Sequence, residues 1–181
     1  MNYDEKDCIL KAKQNDVKAL EQLISNYRVK TLNLAFKIVH NKDDAEDIAQ
    51  EAFVKVFRSI YKLQDDTKFP NWLYRIVVNL CFAYFNKKKI LDDPLEDIEF
   101  HEKIVDKGDS PESIVLKKYS DELIQESLRK LHYKYQTVLN LFYYNELSYS
   151  EISDIMDLSE GTVKTYLFRA KEQLKLILSQ E

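Results

Sequence analysis

The chain has 181 residues, enough for one or two small domains with real cores, and a net charge of −4 at pH 7. Hydrophobic residues make up 45% of it, as in an ordinary globular protein, but there are only two glycines and three prolines. Because chains of β-turns need those two residue types, the composition excludes a turn-rich β fold and predicts long helices with short joints.

Several classes of site lack support in the sequence. Cys8 and Cys81 fit no metal-ligand spacing, the three histidines are scattered, and there is no glycine-rich phosphate loop. We therefore expect no metal, no cofactor and no catalytic residue, and the chain is not expected to be an enzyme. The N-terminus has no apolar leader, and no window approaches the roughly 18 apolar residues of a membrane span. We expect a soluble cytoplasmic protein without membrane insertion.

Helical periodicity covers residues 4–89, the first predicted domain being 1–89. A helix is predicted over residues 16–40, and Asn41 is predicted to cap the next one, whose acidic first turn suits the helix dipole. The inward stripe of that helix is predicted to be Ala45, Ile48, Ala49, Ala52, Phe53, Val56, Phe57 and Ile60. A polar loop then leads to Pro70 and a last helix that ends in three lysines.

The helix after Asn41 has a second face at the spacing i, i+3, i+4 and i+7. Its members are Asp47, Gln50, Glu51 and Val54. A solvated face would explain the polar residues and does not need Val54, although a lone exposed valine is common.

The last helix of this half interleaves aromatic side chains with cations. Bases stack on rings while cations follow phosphates, so the pattern suits single-stranded DNA. The alternative is that Trp72 and Tyr74 are core residues, with both roles open to Trp72, and that the lysines merely favour a helix C-terminus. The candidate DNA-binding residues are Trp72, Arg75, Asn79, Asn86, Lys87, Lys88 and Lys89.

Residues 90–111 break the helical pattern, with eight acids and two lysines. This composition predicts a flexible acidic linker. Ser110 and Pro111 then suit a helix start, and four helices are predicted over the second domain, residues 112–181. The fold class is therefore all-α, with two small helical domains joined by a charged tether.

Residues 147–171 (LSYSEISDIMDLSEGTVKTYLFRAK) predict two helices joined by a tight turn, the layout of a helix-turn-helix. Ser148 and Glu151 form a predicted capping box, and Ser159 is predicted to cap the second helix. From Thr162 to Lys175 there are four basic residues and one acid. An amphipathic hairpin with a solvated basic face is the plain alternative. The candidate DNA-binding residues are Ser159, Glu160, Thr162, Lys164, Thr165, Phe168, Arg169, Lys171 and Lys175.

Three motifs in order resemble those of bacterial sigma-70 family sigma factors of the extracytoplasmic-function (ECF) group. Residues 44–57 (DAEDIAQEAFVKVF) look like their core-binding helix, and residues 69–79 (FPNWLYRIVVN) look like their promoter-melting and −10-reading helix. The C-terminal run from residue 128 (LRKL) resembles their −35-reading domain. The sequence departs from the family pattern at His132, where proline is usual, at Asp157, where glycine is usual, and at Leu63, near a usual aromatic.

The resemblance implies a sigma factor that binds core RNA polymerase and directs promoter recognition and melting. It further implies that the Asp47 face docks on the β′ clamp helices, that the C-terminal domain meets the β flap, that Asn79 helps to bind a flipped-out −10 base, and that an anti-sigma factor is a partner. The net acidity then fits, because core enzyme supplies most nonspecific DNA affinity. Two alternative functions remain. A stand-alone helix-turn-helix regulator would need a β/α receiver domain, which the sequence does not predict. A helical protein-binding adaptor would leave the basic face of the second helix unexplained.

Overall fold

The computed structural model describes residues 4–92 and 121–180, and within these ranges the chain is helical without strands. The all-α prediction is confirmed. The helices are α1 (Glu5–Lys13), α2 (Val17–Val39), α3 (Lys42–Ser59), α4 (Phe69–Asp92), α5 (Asp121–Arg129), α6 (Tyr133–Tyr143), α7 (Tyr149–Met156) and α8 (Glu160–Leu178), with single 3-10 turns at Ile60–Lys62 and Asp66–Lys68.

Side-chain caps fix most of the helix starts. Asp16 accepts hydrogen bonds from the backbone N–H groups of residues 18 and 19, and Asn41 accepts from those of residues 43 and 44. These caps satisfy amide donors that a helix start leaves unpaired. The connection between α2 and α3 needs only His40 and Asn41, because His40 adopts a left-handed conformation with φ 55° that reverses the chain.

The N-terminal part packs α2, α3 and α4 around a shared core. Leu23, Ile38, Val56, Leu73 and Val77 are fully buried in it. The predicted inward stripe of α3 is wrong at one position, because Phe57 is 60% exposed. Phe57 follows Val54 by three residues and Gln50 by seven, so helical geometry places it on the outward row rather than with Val56.

Helix α4 continues to Asp92, three residues past its predicted end at Lys89. The remainder of the predicted acidic linker, and the predicted helix start at Ser110 and Pro111, lie outside the described residues. Within 121–180 the four helices α5 to α8 form the C-terminal part, where α8 packs on α5, α6 and α7. In the described ranges, no helix has both the length and the apolarity that crossing a membrane requires.

The two parts contact each other directly. Helix α4 lies against α7, and α2 lies against α6. The buried residues of both parts form one continuous apolar cluster that includes Val77 of α4 and Ile152 of α7. The side chains that the sequence assigns to two different DNA elements are therefore carried by neighbouring parts of this structure.

Candidate nucleic-acid interface

The helix-turn-helix is built from local contacts, and its predicted capping box is present. The Ser148 hydroxyl accepts from the Glu151 N–H at 3.3 Å, and the Glu151 carboxylate accepts from the Ser148 N–H at 2.9 Å. The carboxylate accepts hydrogen bonds from the Ser148 N–H, the Ser148 hydroxyl and the Asn71 amide, and these bonds to its charged form lower the pKa of Glu151. Asp157 ends α7 in a left-handed conformation, φ 57° and ψ 48°. Aspartate tolerates this conformation better than most residues, and it therefore occupies the turn where the family pattern has glycine.

Ser159 caps α8 as predicted, accepting from the Thr162 N–H at 3.1 Å. On the inner side of α8, Val163, Leu167 and Ala170 are buried, and Leu174 is half-buried. Helix α8 has 19 residues and so extends well beyond the helix-turn-helix itself. The cap and this buried stripe together fix which face of α8 remains outside.

The outward face of α8 carries the predicted reader residues. Lys164, Phe168 and Lys175 are exposed, whereas Arg169 and Lys171 are half-buried. The Thr165 hydroxyl donates to the Gly161 carbonyl at 2.9 Å. Aromatic rings of neighbouring helices lie beneath two cations: Lys164 over Tyr149 and Lys171 over Tyr143, each 5.5 Å from the ring centroid. Such cation–π contacts position the ammonium groups without neutralising them.

His132 is the N-cap residue of α6. Its ring Nδ1 accepts from the Lys134 N–H at 3.3 Å, and its backbone is extended at φ −59° and ψ 138°. Proline, usual in the family pattern here, has the same φ but no side-chain acceptor. Proline would favour this helix start by restricting φ, whereas His132 favours it through a capping hydrogen bond.

Helix α4 presents most of the predicted −10 residues on its surface. Arg75, Asn79, Asn86, Lys87 and Lys88 are exposed, Trp72 is half-buried, and the side chain of Lys89 is outside the described residues. Tyr74 is a core residue, and burial raises the pKa of its hydroxyl. Trp72 has a tilted contact with Phe69, at 6.0 Å between ring centroids, and keeps part of its indole accessible.

A pocket that the sequence did not predict lies beside Trp72. It has a volume of about 430 Å³ and is lined by Lys55, Arg58, Ser59, Lys62, Trp72 and Ile76. The sequence does carry a sign of it, because Lys55, Arg58 and Lys62 recur at i, i+3 and i+7 and so share one side of α3 and its extension. What no local pattern reveals is that this cationic row faces the indole of a different helix.

The predicted polymerase-binding residues Asp47, Gln50, Glu51 and Val54 are all exposed on α3. Glu51 forms an ion pair with Lys55, 3.4 Å between charged atoms. An apolar ridge continues this face, and we call Val54, Phe57 and Tyr61 the α3 ridge. Their exposed fractions are 46%, 60% and 63%. Single exposed apolar side chains are normal on a protein surface, whereas a contiguous row of three large ones is typical of an interaction site.

Two side chains of α4 contact the helix-turn-helix. The Arg75 guanidinium lies 3.3 Å from the Asp157 carboxylate, and the Asn71 amide donates to the Glu151 carboxylate at 3.1 Å. The structure thus brings the α4 surface to α7 and to the turn that follows it. Both predicted DNA-binding faces keep exposed cations, and two side chains of the α4 face contact the helix-turn-helix.

Comparisons with known proteins match both parts of the chain. The family model for sigma-70 region 2 matches residues 23–90, and the one for sigma-70 region 4 matches residues 121–174. The ECF RNA polymerase sigma factor SigW of Bacillus subtilis is 36% identical, over 92% of this chain and 92% of its own length. The RNA polymerase sigma-H factor of Pseudomonas aeruginosa is 31% identical, over 91% of this chain and 88% of its own.

The fold also matches a solved structure. The sigma factor RpoE of Bartonella quintana, crystallised with the anti-sigma factor NepR, aligns with a TM-score of 0.67 at 20% identity, over 90% of this chain and 98% of that one. At that identity the match shows the fold alone. Fold, motif order and the two relatives agree, and the chain belongs to the extracytoplasmic-function group of the sigma-70 family, the sigma factors that direct RNA polymerase in transcription initiation.

Proposed function

We propose that this sigma factor docks on core RNA polymerase through α3, melts and binds the −10 element through α4 and the adjoining pocket, and binds the −35 element through α8. The observation that carries this assignment is the presence of three separate exposed surfaces of matching chemistry on one chain. One is acidic and apolar, one combines cations with an indole, and one is a basic helix-turn-helix face.

The α3 surface suits a protein partner. Its Asp47 and Glu51 carboxylates stand beside the α3 ridge, so a partner helix could pair arginines with the acids while covering the apolar side chains. In many protein interfaces a few central anchor side chains contribute most of the binding energy, and a rim of other residues surrounds them. We assign the clamp helices of the polymerase β′ subunit to this surface and the β flap to the C-terminal part, following the family pattern.

The pocket beside Trp72 suits an unstacked nucleotide. Its three cations can bind backbone phosphates, and the accessible indole offers a stacking face for a base. Arg75, Asn79 and Asn86 lie on the exposed side of the same helix and extend the surface along a strand. Base–aromatic stacking contributes about 1–3 kcal/mol per base, which is comparable to the few kcal/mol that unstacking and unpairing one base costs.

Binding energy alone would then drive melting, and none of these roles requires chemistry by the sigma factor. The polymerase and its template are cytoplasmic, and we place the protein there. We also propose an anti-sigma factor as a partner, supported by the anti-sigma complex of the similar Bartonella quintana protein. A stand-alone regulator with a receiver domain finds no support, since the described residues contain no strand.

The test of this assignment is reconstitution with core polymerase. The purified chain should bind promoter DNA weakly alone and specifically in the presence of core enzyme, measured by mobility shift and run-off transcription. Tight sequence-specific binding by the free chain at physiological salt would contradict the assignment.

The docking surface is tested by reversing Asp47 and Glu51 together to lysine. Core affinity should fall while helix content, followed by circular dichroism, stays unchanged. The control Glu21→Lys reverses an exposed acid on a different helix, α2, and should leave core affinity intact. Unchanged core affinity in the double variant would show that α3 is not the docking surface.

A further inference from the structure

Three aromatic side chains meet where α6 ends and α7 begins. The Phe142 ring stacks on Tyr149, with centroids 5.4 Å apart and planes at 12°, and meets Tyr143 edge-on, with centroids 5.0 Å apart and planes at 87°. These are the offset-stacked and T-shaped arrangements that aromatic pairs prefer. We call Phe142, Tyr143 and Tyr149 the aromatic platform. One ring, Phe142, is common to both contacts.

The loop between α6 and α7 holds the platform together. The Leu147 N–H donates to the Leu141 carbonyl at 3.1 Å, which brings the start of α7 back to the end of α6. Tyr149 is the first residue of α7 and directly follows the capping box at Ser148. Phe142 and Tyr149 are half-buried. The position of the rings is therefore set by backbone hydrogen bonds, a cap and packing within α6 and α7.

Each tyrosine of the platform lies beneath one lysine of α8. Lys164 Nζ is 5.5 Å from the centroid of the Tyr149 ring, and Lys171 Nζ is 5.5 Å from that of Tyr143. A cation within about 6 Å of a ring centroid is attracted to the ring face. The two lysines are seven residues apart, so they share one side of α8 about 10 Å apart along its axis. One platform thus restrains two cations of the predicted reader face.

This restraint matters because lysine has a long and flexible side chain. A free lysine loses rotamer freedom when it binds a DNA atom, and that loss opposes binding. If the folded protein already restrains the side chain, the loss no longer falls on the binding step. The ring contacts only one side of the ammonium group, which has further N–H donors for an acceptor on DNA. The platform can therefore direct a lysine without using up its donors.

We propose that the aromatic platform is a positioning element for −35 recognition, which acts on DNA through Lys164 and Lys171. The proposal rests on the proposed function, in which α8 binds the −35 element. Lys164 lies near the start of α8, where a recognition helix contacts base edges, and a lysine suits the guanine O6 and N7 acceptors. Lys171, two turns later, suits a phosphate. Tyr149 therefore affects base preference, and Tyr143 affects affinity for all sequences.

The first test removes the ring beneath Lys164. Holoenzyme assembled from core polymerase and the full chain is measured by competition binding on a randomised −35 library. Tyr149→Leu should lower affinity for the preferred −35 element about two- to fivefold, the value of an exposed cation–π contact. It should also relax preference at the same base positions as Lys164→Ala. Tyr149→Phe retains the ring face and should retain both properties.

The phenylalanine variant separates positioning from a direct contact of the hydroxyl with DNA. Equal losses in Tyr149→Phe and Tyr149→Leu would overturn the proposal, because the ring face would then be irrelevant. Unchanged or increased affinity in Tyr149→Leu would overturn it too, since the ring would then contribute nothing or would hold Lys164 away from DNA.

A double-mutant cycle separates positioning from general damage to the helix-turn-helix. In a chain that already carries Lys164→Ala, Tyr149→Leu should have no further effect on affinity or preference. Damage to packing would persist in that background, and full additivity of the two substitutions would overturn the proposal. The same cycle with Lys171→Ala should leave the effect of Tyr149→Leu on base preference intact.

The second test addresses Tyr143, which is 43% exposed and so tolerates substitution. Tyr143→Leu should weaken binding to all −35 sequences about equally, by about two- to fivefold, and should lose this effect once Lys171 is replaced by alanine. The matched control is Tyr144→Leu, which removes the next ring along the chain. That ring lies beneath Lys37 of α2 and not beneath a lysine of α8. An equal loss in the control would overturn the proposal.

Failure of the platform and failure of the proposed function give different results. If Lys164→Ala leaves −35 preference and affinity unchanged, Lys164 does not contact the −35 element, and the assignment of α8 fails at this residue together with the platform. If Lys164→Ala changes preference whereas Tyr149→Leu does not, only the platform fails. Phe142→Leu removes the ring common to both tyrosines and should combine relaxed preference with a general loss of affinity; unchanged values would overturn the platform as a unit.

Discussion

Helices α4 and α8 have 24 and 19 residues, and both present exposed cations that suit DNA. They differ in how the surroundings fix the exposed face. Around α8, caps fix the start of each helix of the helix-turn-helix: the capping box at Ser148 fixes α7, and Ser159 fixes α8. For α4, the surface exists because Leu73 and Val77 are buried against other helices and because α3 and the 3-10 turn after it supply the cations beside Trp72. The first surface depends on local contacts and the second on tertiary packing.

The difference predicts that the two surfaces respond differently to mutation. Damage to the core should remove the α4 surface together with the fold. Loss of a cap should shift the stability of the helix-turn-helix modestly, and loss of an exposed reader side chain should change specificity without changing stability. The following predictions test this contrast from the largest effect to the smallest.

Leu73→Ala should lower the free energy of unfolding by about 2–5 kcal/mol. Leu73 is fully buried near the start of α4, and its truncation leaves a cavity as well as lost apolar contact. Urea denaturation followed by circular dichroism measures the change. The control Val29→Ala truncates a side chain that is 65% exposed and should stay within about 0.5 kcal/mol of the original chain. Equal effects in the two variants would mean that α4 is not held by this core.

Arg169→Ala should cost roughly 1–3 kcal/mol in promoter binding by holoenzyme and relax preference at one or two −35 positions, if its guanidinium binds a guanine edge. Lys175 lies further along α8 and is exposed, which suits a phosphate contact. Lys175→Ala should weaken all promoters about equally and reduce the salt dependence by about one unit. Run-off transcription on a randomised −35 library separates the two effects. An unchanged −35 preference in Arg169→Ala would show that this residue does not contact bases.

Ser159→Ala should lower the free energy of unfolding by about 1 kcal/mol, because the Thr162 N–H loses its acceptor at the start of α8. Ser159→Asn, another good capping residue, should recover most of the loss. Thermal unfolding of the three proteins measures it. A full loss in the asparagine variant would argue for a side-chain role of Ser159 other than capping.

The contrast also explains which features can be predicted from sequence. Caps depend on one to four neighbouring residues, so the sequence alone suffices to assign Asn41, Ser148 and Ser159 correctly. The predicted inward stripe misplaces Phe57, which lies three residues after Val54 and seven after Gln50 and therefore belongs to the outward row of α3. The pocket beside Trp72 and the contact of α4 with α7 arise between elements distant in sequence, and no local pattern encodes such pairings.

The smallest expected effect is on the stability of the fold at acidic pH, through Glu151, which lies where α4 contacts α7. Hydrogen bonds from the Ser148 N–H, the Ser148 hydroxyl and the Asn71 amide, in that order, lower the pKa of Glu151 from its usual value of 4.5. A carboxyl group with a lowered pKa in the folded state stabilises the fold fully above its unfolded pKa, and that contribution disappears as pH falls through the lowered value. Glu151→Gln keeps a capping side chain that cannot titrate.

The melting temperature of the Glu151→Gln variant should therefore fall less between neutral pH and pH 3 than that of the original chain. The matched control is Asp65→Asn. Hydrogen bonds from Thr67 lower the pKa of Asp65 too, but Asp65 lies before α4 and far along the chain from the helix-turn-helix. If Glu151→Gln loses stability with acid as steeply as the original chain, the capping carboxylate does not contribute through its charge. The two variants should also be compared in a chain in which Asn71 is replaced. If that replacement removes the difference between Glu151→Gln and Asp65→Asn in the loss of melting temperature with acid, the contact between α4 and α7 forms part of the carboxylate's contribution in solution.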